Sequence, residues 1–210
     1  MIEINLFTDA FILSGDVDQV KSKYKVGWII ETRETNNHSI FDDIGSVIDK
    51  FDFILTYDEE LLKKYPDKTE FYPFGGCWVL RENYGLYEKE KDLSIIYSDK
   101  TYASGHNLRH VIANKLGDKI DHYGSGPNKP FERKEDVLSP YRYSIIIENY
   151  KSKYYFSEKL LDCLSVGTIP IYWGASSIGE FFDKEGIISF DTLEELDLIL
   201  PTLTEEEYDK

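Results

Sequence analysis

The sequence predicts an α/β protein made of two successive units, and three observations predict it. Short apolar runs rich in β-branched and aromatic residues alternate with helix-like segments along most of the 210 residues, the pattern of βαβ architecture. That alternation loosens between Gly75 and Lys91, where Gly75-Gly76 and the charged Tyr87-Glu88-Lys89-Glu90-Lys91 read as a linker. The clearest apolar runs end in polar residues, the edge at which open α/β sheets take ligands. Together these give two Rossmann-like domains facing across a cleft, residues 1–85 and residues 92–210, the first of them shortened.

The elements follow in order. Lys25-Val26-Gly27-Trp28-Ile29-Ile30 is a short strand, and Glu31 to Asn37 a polar loop. Phe41 to Ile48 is helical, Phe51 to Thr56 the next strand, and Asp58 to Lys64 a helix with acid first and base last, as the helix dipole favours. Phe71 to Phe74 is a short strand or turn. The second unit opens with the strand Leu93 to Ser98, a polar turn from Asp99 to Gly105, and a helix from Asn107 to Leu116 whose Leu108, Val111, Ile112 and Leu116 recur at helical spacing. Lys119 to Tyr123 is a strand closed by Gly124-Ser125-Gly126-Pro127. Then come a strand from Tyr143, a helix from Ser157 to Leu164, a strand from Ile169, a helix around Ile178 to Phe182, a strand from Ile187 to Phe190, a helix over 192–199 and an acidic tail at Thr204 to Glu207.

Composition narrows the function. A net charge of −15 argues against an extended nucleic-acid surface, but a single phosphate-bearing ligand needs only a local cluster of cations. The two cysteines, Cys77 and Cys163, form neither a metal-type pair nor a disulfide framework and read as buried small hydrophobes. Met1-Ile2-Glu3-Ile4-Asn5 lacks the basic start and apolar core of a signal peptide. No apolar run approaches the roughly 20 residues of a membrane span. The expectation is a soluble cytoplasmic protein.

Lys159 stands out among the candidate residues. Ser157 can cap the helix that follows it, and Glu158 suits a first turn, but a cation there opposes the dipole and needs a partner. A phosphate is a natural one, because N–H groups of the same turn also attract anions. Arg109, expected in the first turn of its helix, has the fork geometry of a diphosphate ligand, with a surface ion pair as the alternative. His106 and His110 beside it read as surface or capping residues. Glu148-Asn149 closes a strand of three isoleucines, so its carboxylate must be solvated, paired or ligand-bound. Gly124 either lets backbone approach a ligand or makes a plain turn, and Gly174 ends its strand where N–H groups can face the cleft. In the first unit, Glu31 and Glu34 follow a strand end, where a carboxylate can act as a general base; a solvated loop acid is the alternative for each, and Arg33 can pair with one of them. Asp16-Val17-Asp18 reads as a helix cap, so no metal site is expected.

Three segments carry a resemblance: Ile145-Ile146-Ile147-Glu148-Asn149, then Tyr155-Phe156-Ser157-Glu158-Lys159, then Gly167-Thr168-Ile169-Pro170-Ile171-Tyr172-Trp173-Gly174. In this order and spacing they resemble the alpha-1,3-fucosyltransferase family, with Ser157 in place of the usual threonine. The resemblance is dense over residues 93–190 and faint before them. It implies a two-lobed, GT-B type, inverting glycosyltransferase whose second lobe binds GDP-fucose and whose partner is a glycan acceptor. By resemblance Arg109 and Lys159 hold the diphosphate, Glu158 and Asn149 contact ribose or sugar hydroxyls, Tyr155 lines the pocket, and Glu148 and Gly124 belong to the donor site. A first-lobe carboxylate, Glu31 or Glu34, would deprotonate the acceptor, with no metal or other cofactor required. A transferase for another nucleotide sugar and a non-catalytic nucleotide-sugar-binding remnant are the alternative readings.

Overall fold

The structure is a computed structural model that describes residues 3–35 and 39–210. Asn36 and Asn37 of the expected loop, and Met1-Ile2 of the chain start, lie outside the described residues. The chain separates into two compact units, Met1–Phe74 and Gly75–Lys210.

The first unit runs β1 (Ile4–Thr8), α1 (Asp16–Gln19), β2 (Tyr24–Trp28), α2 (Ser39–Asp43), β3 (Phe53–Thr56), α3 (Glu59–Lys64) and β4 (Thr69–Phe71). Its sheet has the order β1-β2-β3-β4 with every pair parallel. One sheet face supplies Phe7, Ile29 and Ile54 to a core completed by Ile12, Val17, Ile44, Phe51 and Leu61. Gly27 lies on that face, and a side chain there would collide with Ile54. The sequence gives no warning of β1. Ile4 and Leu6 point away from the core and are exposed, so apolar residues occupy both faces and no alternation shows. Asp16 and Asp18 lie in the first turn of α1, where Asp18 meets Lys50 at 2.6 Å.

The second unit runs β5 (Lys91–Ile96), α4 (Ser104–Leu116), β6 (Asp121–Tyr123), α5 (Lys134–Leu138), β7 (Tyr141–Ile147), α6 (Glu158–Ser165), β8 (Ile169–Trp173), β9 (Ile188–Ser189), α7 (Leu193–Ile199) and α8 (Glu205–Tyr208). All strand pairs are parallel in the order β6-β5-β7-β8-β9. The direction of winding reverses between β5 and β7, so the helices that follow those strands, α4 and α6, begin at the topological switch point. Burial on both faces explains the isoleucine run of β7. Ile145 and Ile147 pack with Ile112 of α4 and Leu196 of α7, while Ile146 packs with Phe156, Leu160 and Cys163 around α6.

Residues 75–91 belong to the second unit, largely exposed but tied to it at several points, and are not a linker. Asp162 Oδ1 accepts from the N–H of Trp78 at 2.6 Å and of Val79 at 3.2 Å. Val79 is buried with Leu138 and Val166. Lys89 Nζ donates to the carbonyls of Ser139 and Val166, both at 2.9 Å, and to Thr168 Oγ1 at 3.1 Å. Three acceptors satisfy the three ammonium donors without a carboxylate, and burial lowers the lysine pKa to about 8. A Gly pair and a run of charges look like exposed chain, but here the charged amine is the pin. The join therefore falls at Phe74/Gly75, earlier than the expected 85–92.

Cys77 and Cys163 are unpaired. Cys163 is fully buried, and burial pushes its thiol pKa well up. Among the described residues no helix is long and apolar enough to cross a membrane.

Candidate functional site

The site grows from the end of β7. Glu148 has no exposed surface. Its Oε1 accepts from the Ser157 N–H at 2.8 Å and its Oε2 from the Ser157 hydroxyl at 2.6 Å. Burial pushes its pKa up, and Lys159 and the Ser157 hydrogen bonds pull in the opposite direction. Ser157 is in turn the cap of α6: Oγ accepts from the Lys159 N–H at 3.4 Å and from Lys159 Nζ at 3.0 Å. The ammonium also meets Glu158 Oε1 at 3.2 Å and lies 3.8 Å from Glu148 Oε2. The first-turn cation thus has partners, and they are the hydroxyl and carboxylates of its own segment. Burial opposes the charge of Glu158, but Lys159 and Lys134 outweigh it and hold the carboxyl below the usual range.

Arg109 comes from the other helix of the switch. The sequence placed it in a first turn, but α4 starts at Ser104 and puts it in the second. Neither does it form a surface ion pair. It is 5% exposed. Its Nε donates to the Ile147 carbonyl at 3.0 Å, and Nη2 donates to the same carbonyl and to Asn149 Oδ1, the latter at 2.9 Å. The guanidinium therefore ties off the last carbonyl of β7. Burial lowers its pKa and Glu148 raises it, and an arginine stays charged under both. Tyr155, buried, lies within electrostatic range of it.

Gly105 explains how α4 reaches β7. Its N–H donates to the Asn149 carbonyl at 2.9 Å, and a Cβ there would strike the carbonyls of Glu148 and Asn149. His106 follows, 4% exposed, with Nδ1 accepting from the Ala103 N–H at 3.3 Å. Burial first, then Arg109, Lys100, Lys159 and His110, lower its pKa to about 4. Cations from both helices reach the same strand end, Arg109 at the Ile147 carbonyl and Asn149, and Lys159 at 3.8 Å from Glu148. His110 has its Nε2 3.1 Å from the Lys100 carbonyl.

Gly124 has φ 107°, and a Cβ there would hit the Tyr97 carbonyl. It exchanges backbone hydrogen bonds with Lys129 at 2.9 and 3.0 Å. The observed need for glycine is thus a turn pressed onto the end of β5. Gly174 lines a cavity of about 240 Å³ with Tyr172, Ser176, Ser189, Asp191 and Glu195. The two carboxylates make this cavity unsuited to an anion.

Glu31 and Glu34 belong to the first unit, in the turn after β2. Glu31 Oε2 accepts from Thr35 Oγ1 at 2.8 Å, and its carbonyl accepts from Tyr57 OH at 3.0 Å. Glu34 is half-buried in the same turn. Arg33 is engaged by Asp58, with Nε–Oδ2 at 2.9 Å and Nη2–Oδ1 at 2.8 Å, and by Glu60 at 2.9 Å.

Sequence reasoning missed two carboxylates. Asp9, at the end of β1 with φ 44°, accepts from the N–H groups of Ile30 and Glu31, both at 2.9 Å, and so sets the direction of the Glu31 turn. It went unseen because β1 did. Asp162 lies one helical turn beyond Glu158, a spacing that put both on one face of α6. It is fully buried, with Oδ2 3.6 Å from Lys134 Nζ.

The second unit is, in class, a Rossmann-type α/β unit with two cations at its switch point and hydroxyl and carboxylate groups around them, an edge suited to a ligand bearing both diphosphate and sugar. The profile of "Glycosyltransferase family 10 (fucosyltransferase) C-term" matches residues 86–209. The chain belongs to this family. It is 30% identical over 66 residues to alpha-(1,3)-fucosyltransferase FucT of Helicobacter pylori, covering 31% of this chain and 14% of that protein. It is 35% identical over 63 residues to an alpha-(1,4)-fucosyltransferase of Arabidopsis thaliana, covering 29% of this chain and 16% of that one. The aligned stretches span about one seventh of each relative's length. A crystal structure of alpha1,3-fucosyltransferase with GDP has a TM-score of 0.64 at 19% identity, over 97% of this chain and 67% of the other. One with GDP-fucose has 0.60 at 16%, over 99% and 80%. The α/β fold with parallel sheets that the sequence predicts is shared with these structures.

Proposed function

We propose that this chain transfers L-fucose from GDP-fucose to a glycan hydroxyl with inversion at the anomeric carbon. The observation that supports the reading is that Arg109 and Lys159, from the two helices of the switch, both reach the end of β7 in a family 10 domain, Arg109 through the Ile147 carbonyl and Asn149, and Lys159 at 3.8 Å from Glu148. Arg109 is anchored through Nε and Nη2, so Nη1 is the nitrogen left to address a phosphate oxygen. Lys159 has three donors and spends two on Ser157 and Glu158. Glu158 and Asn149 would meet ribose or sugar hydroxyls, beside Tyr155 and the Gly124 turn. Glu148, fully buried, would touch no ligand.

In the reaction the acceptor oxygen bonds to C1 of the fucose as the bond from C1 to the diphosphate oxygen breaks. The electron pair of that bond leaves on GDP, where Arg109 and Lys159 meet the new charge. The acceptor proton goes to Glu31 or Glu34 as general base. Because cationic side chains answer the leaving-group charge, this chemistry requires no metal. Two unpaired cysteines suit a reducing compartment, the cytoplasm.

Calorimetric titration with GDP tests the donor half. Saturable binding is expected, about 100-fold weaker in Lys159→Ala, as loss of a charge-assisted contact dictates. No binding at millimolar GDP overturns the reading. A panel of nucleotide sugars separates it from its nearest rival, since turnover of a UDP-sugar without turnover of GDP-fucose would make this a transferase of different donor.

A further inference from the structure

We infer that Glu148 is a positioning residue, a buried carboxylate that aims Lys159 at the donor's diphosphate by holding Ser157. The inference rests on the proposed donor site and adds a residue that touches no substrate.

Three observations carry it. Glu148 has no exposed surface, and each of its oxygens is taken by Ser157, one by the N–H at 2.8 Å and the other by the hydroxyl at 2.6 Å. The hydroxyl has a single proton, and Glu148 receives it, so the lone pairs must face elsewhere. They face Lys159, whose Nζ lies 3.0 Å from Ser157 Oγ. Glu148 is itself fixed from three sides. Its N–H donates to the Trp173 carbonyl at 2.9 Å, a Cβ at Gly105 would strike its carbonyl oxygen, and a Cβ at Gly174 would fall 2.7 Å from its Cγ.

Capping alone does not account for this carboxylate. Ser157 already caps α6 with its own Oγ, and a fully buried carboxylate costs several kcal/mol to desolvate. What Glu148 adds is direction. With it, the hydroxyl can only accept from the ammonium. Without it, the hydroxyl is free to rotate and donate, and the four-carbon stem of Lys159 regains rotamers that binding must then remove.

Charge and geometry predict opposite signs for one substitution. Glu148 repels a diphosphate, so on charge alone Glu148→Gln tightens GDP. As a positioning residue it must weaken GDP. The test is a double-mutant cycle on the full chain, with GDP titrated into wild type, Glu148→Gln, Lys159→Ala and the double variant. We expect Glu148→Gln to weaken GDP about tenfold, a part of the roughly 100-fold lost in Lys159→Ala because the ammonium is still present but no longer held in place, and to have no further effect once Lys159 is alanine. Tightening, no change, or a loss that persists without Lys159 overturns the inference; the last outcome would assign the effect to Arg109 or to the fold. Should Glu148→Gln not fold, Ser157→Ala carries the same expectation and Ser157→Thr, which keeps the hydroxyl, restores affinity. NMR relaxation at the Lys159 Cε reads the anchor with no ligand. It should be rigid in wild type and mobile in Glu148→Gln, and equal mobility overturns the inference even where GDP binding, and with it the proposed function, has failed separately.

Discussion

At the end of β7 almost every charged side chain is held by another side chain under cover: Glu148 by Ser157, Lys159 by Glu158 and Ser157, Arg109 by Asn149 and the Ile147 carbonyl. At the end of β2 the arrangement differs. Glu31 accepts from one hydroxyl, Thr35, and its turn is set from below by Asp9 through main-chain N–H groups. The first edge is a fixed bed of charge. The second is a carboxylate on a short turn, steered by backbone and left with lone pairs to use. A leaving group needs charge that does not reorganise as the bond breaks, whereas a base must take a proton and give it up. Under the function we propose, the first edge serves the leaving group and the second the base.

Replacing the bases should therefore affect rate and leave the donor bed alone. Glu31→Gln or Glu34→Gln, whichever is the base, should cost about 10²- to 10⁴-fold in kcat with GDP-fucose and acceptor, the usual worth of a general base. GDP affinity should be unchanged by both. The other substitution should change kcat little, so the pair of measurements assigns the role. A parallel loss of GDP binding would erase the distinction between the two edges.

Arg109→Ala should damage the donor bed as structure as well as charge. It removes the donors to Ile147 and Asn149, leaving a buried carbonyl without its partner. We expect about 2–4 kcal/mol less stability in urea denaturation together with loss of GDP binding. Arg109→Lys should recover only part of either, since one ammonium cannot reproduce the fork. Asp162→Ala acts on the same helix from its buried side. It frees the N–H groups of Trp78 and Val79 and should cost about 2–3 kcal/mol, measured the same way. Proteolysis within 75–91 should then appear, whereas a true linker would be cut in the wild type.

What the sequence made legible follows from which forces are local. The triple isoleucine of β7 announced a strand covered on both faces, and Lys159 announced a partner because the helix dipole is a property of its own turn. Glu148 showed only that it needed company. Its partner, Ser157, is nine residues away across a connection whose path no periodicity describes. The start of α4 was hidden because Ser104 and Gly105 look like the end of a turn, and only the approach of the Glu148 carbonyl shows why glycine is required there. Lys89 misled for the opposite reason: a lysine among charges reads as solvated, and three oxygens from distant residues bind its ammonium.

The smallest predicted effect is the most specific to the cation cluster. Burial first, then the charges of Arg109, Lys100, Lys159 and His110, hold the folded pKa of His106 at about 4, below the ordinary 6.5. The unfolded chain takes up a proton near pH 6.5 and the folded chain does not until about pH 4. Stability present above pH 6.5 is therefore lost progressively as the pH falls through that window. Glu148 works in the other sense, because burial raises its pKa and the folded chain holds that proton more firmly. A bulk stability curve mixes the two, so the measurement must be site-resolved, by the NMR titration of the His106 ring. Removing a neighbouring cation with Lys159→Ala should raise the pKa of His106, and GDP should raise it further, because a diphosphate among these cations favours the imidazolium. By linkage GDP must then bind more tightly at pH 5 than at pH 7 where His106 governs, and this advantage should vanish in His106→Gln. An imidazole whose titration ignores both Lys159 and GDP would mean that the two helices of the switch do not share one electrostatic site.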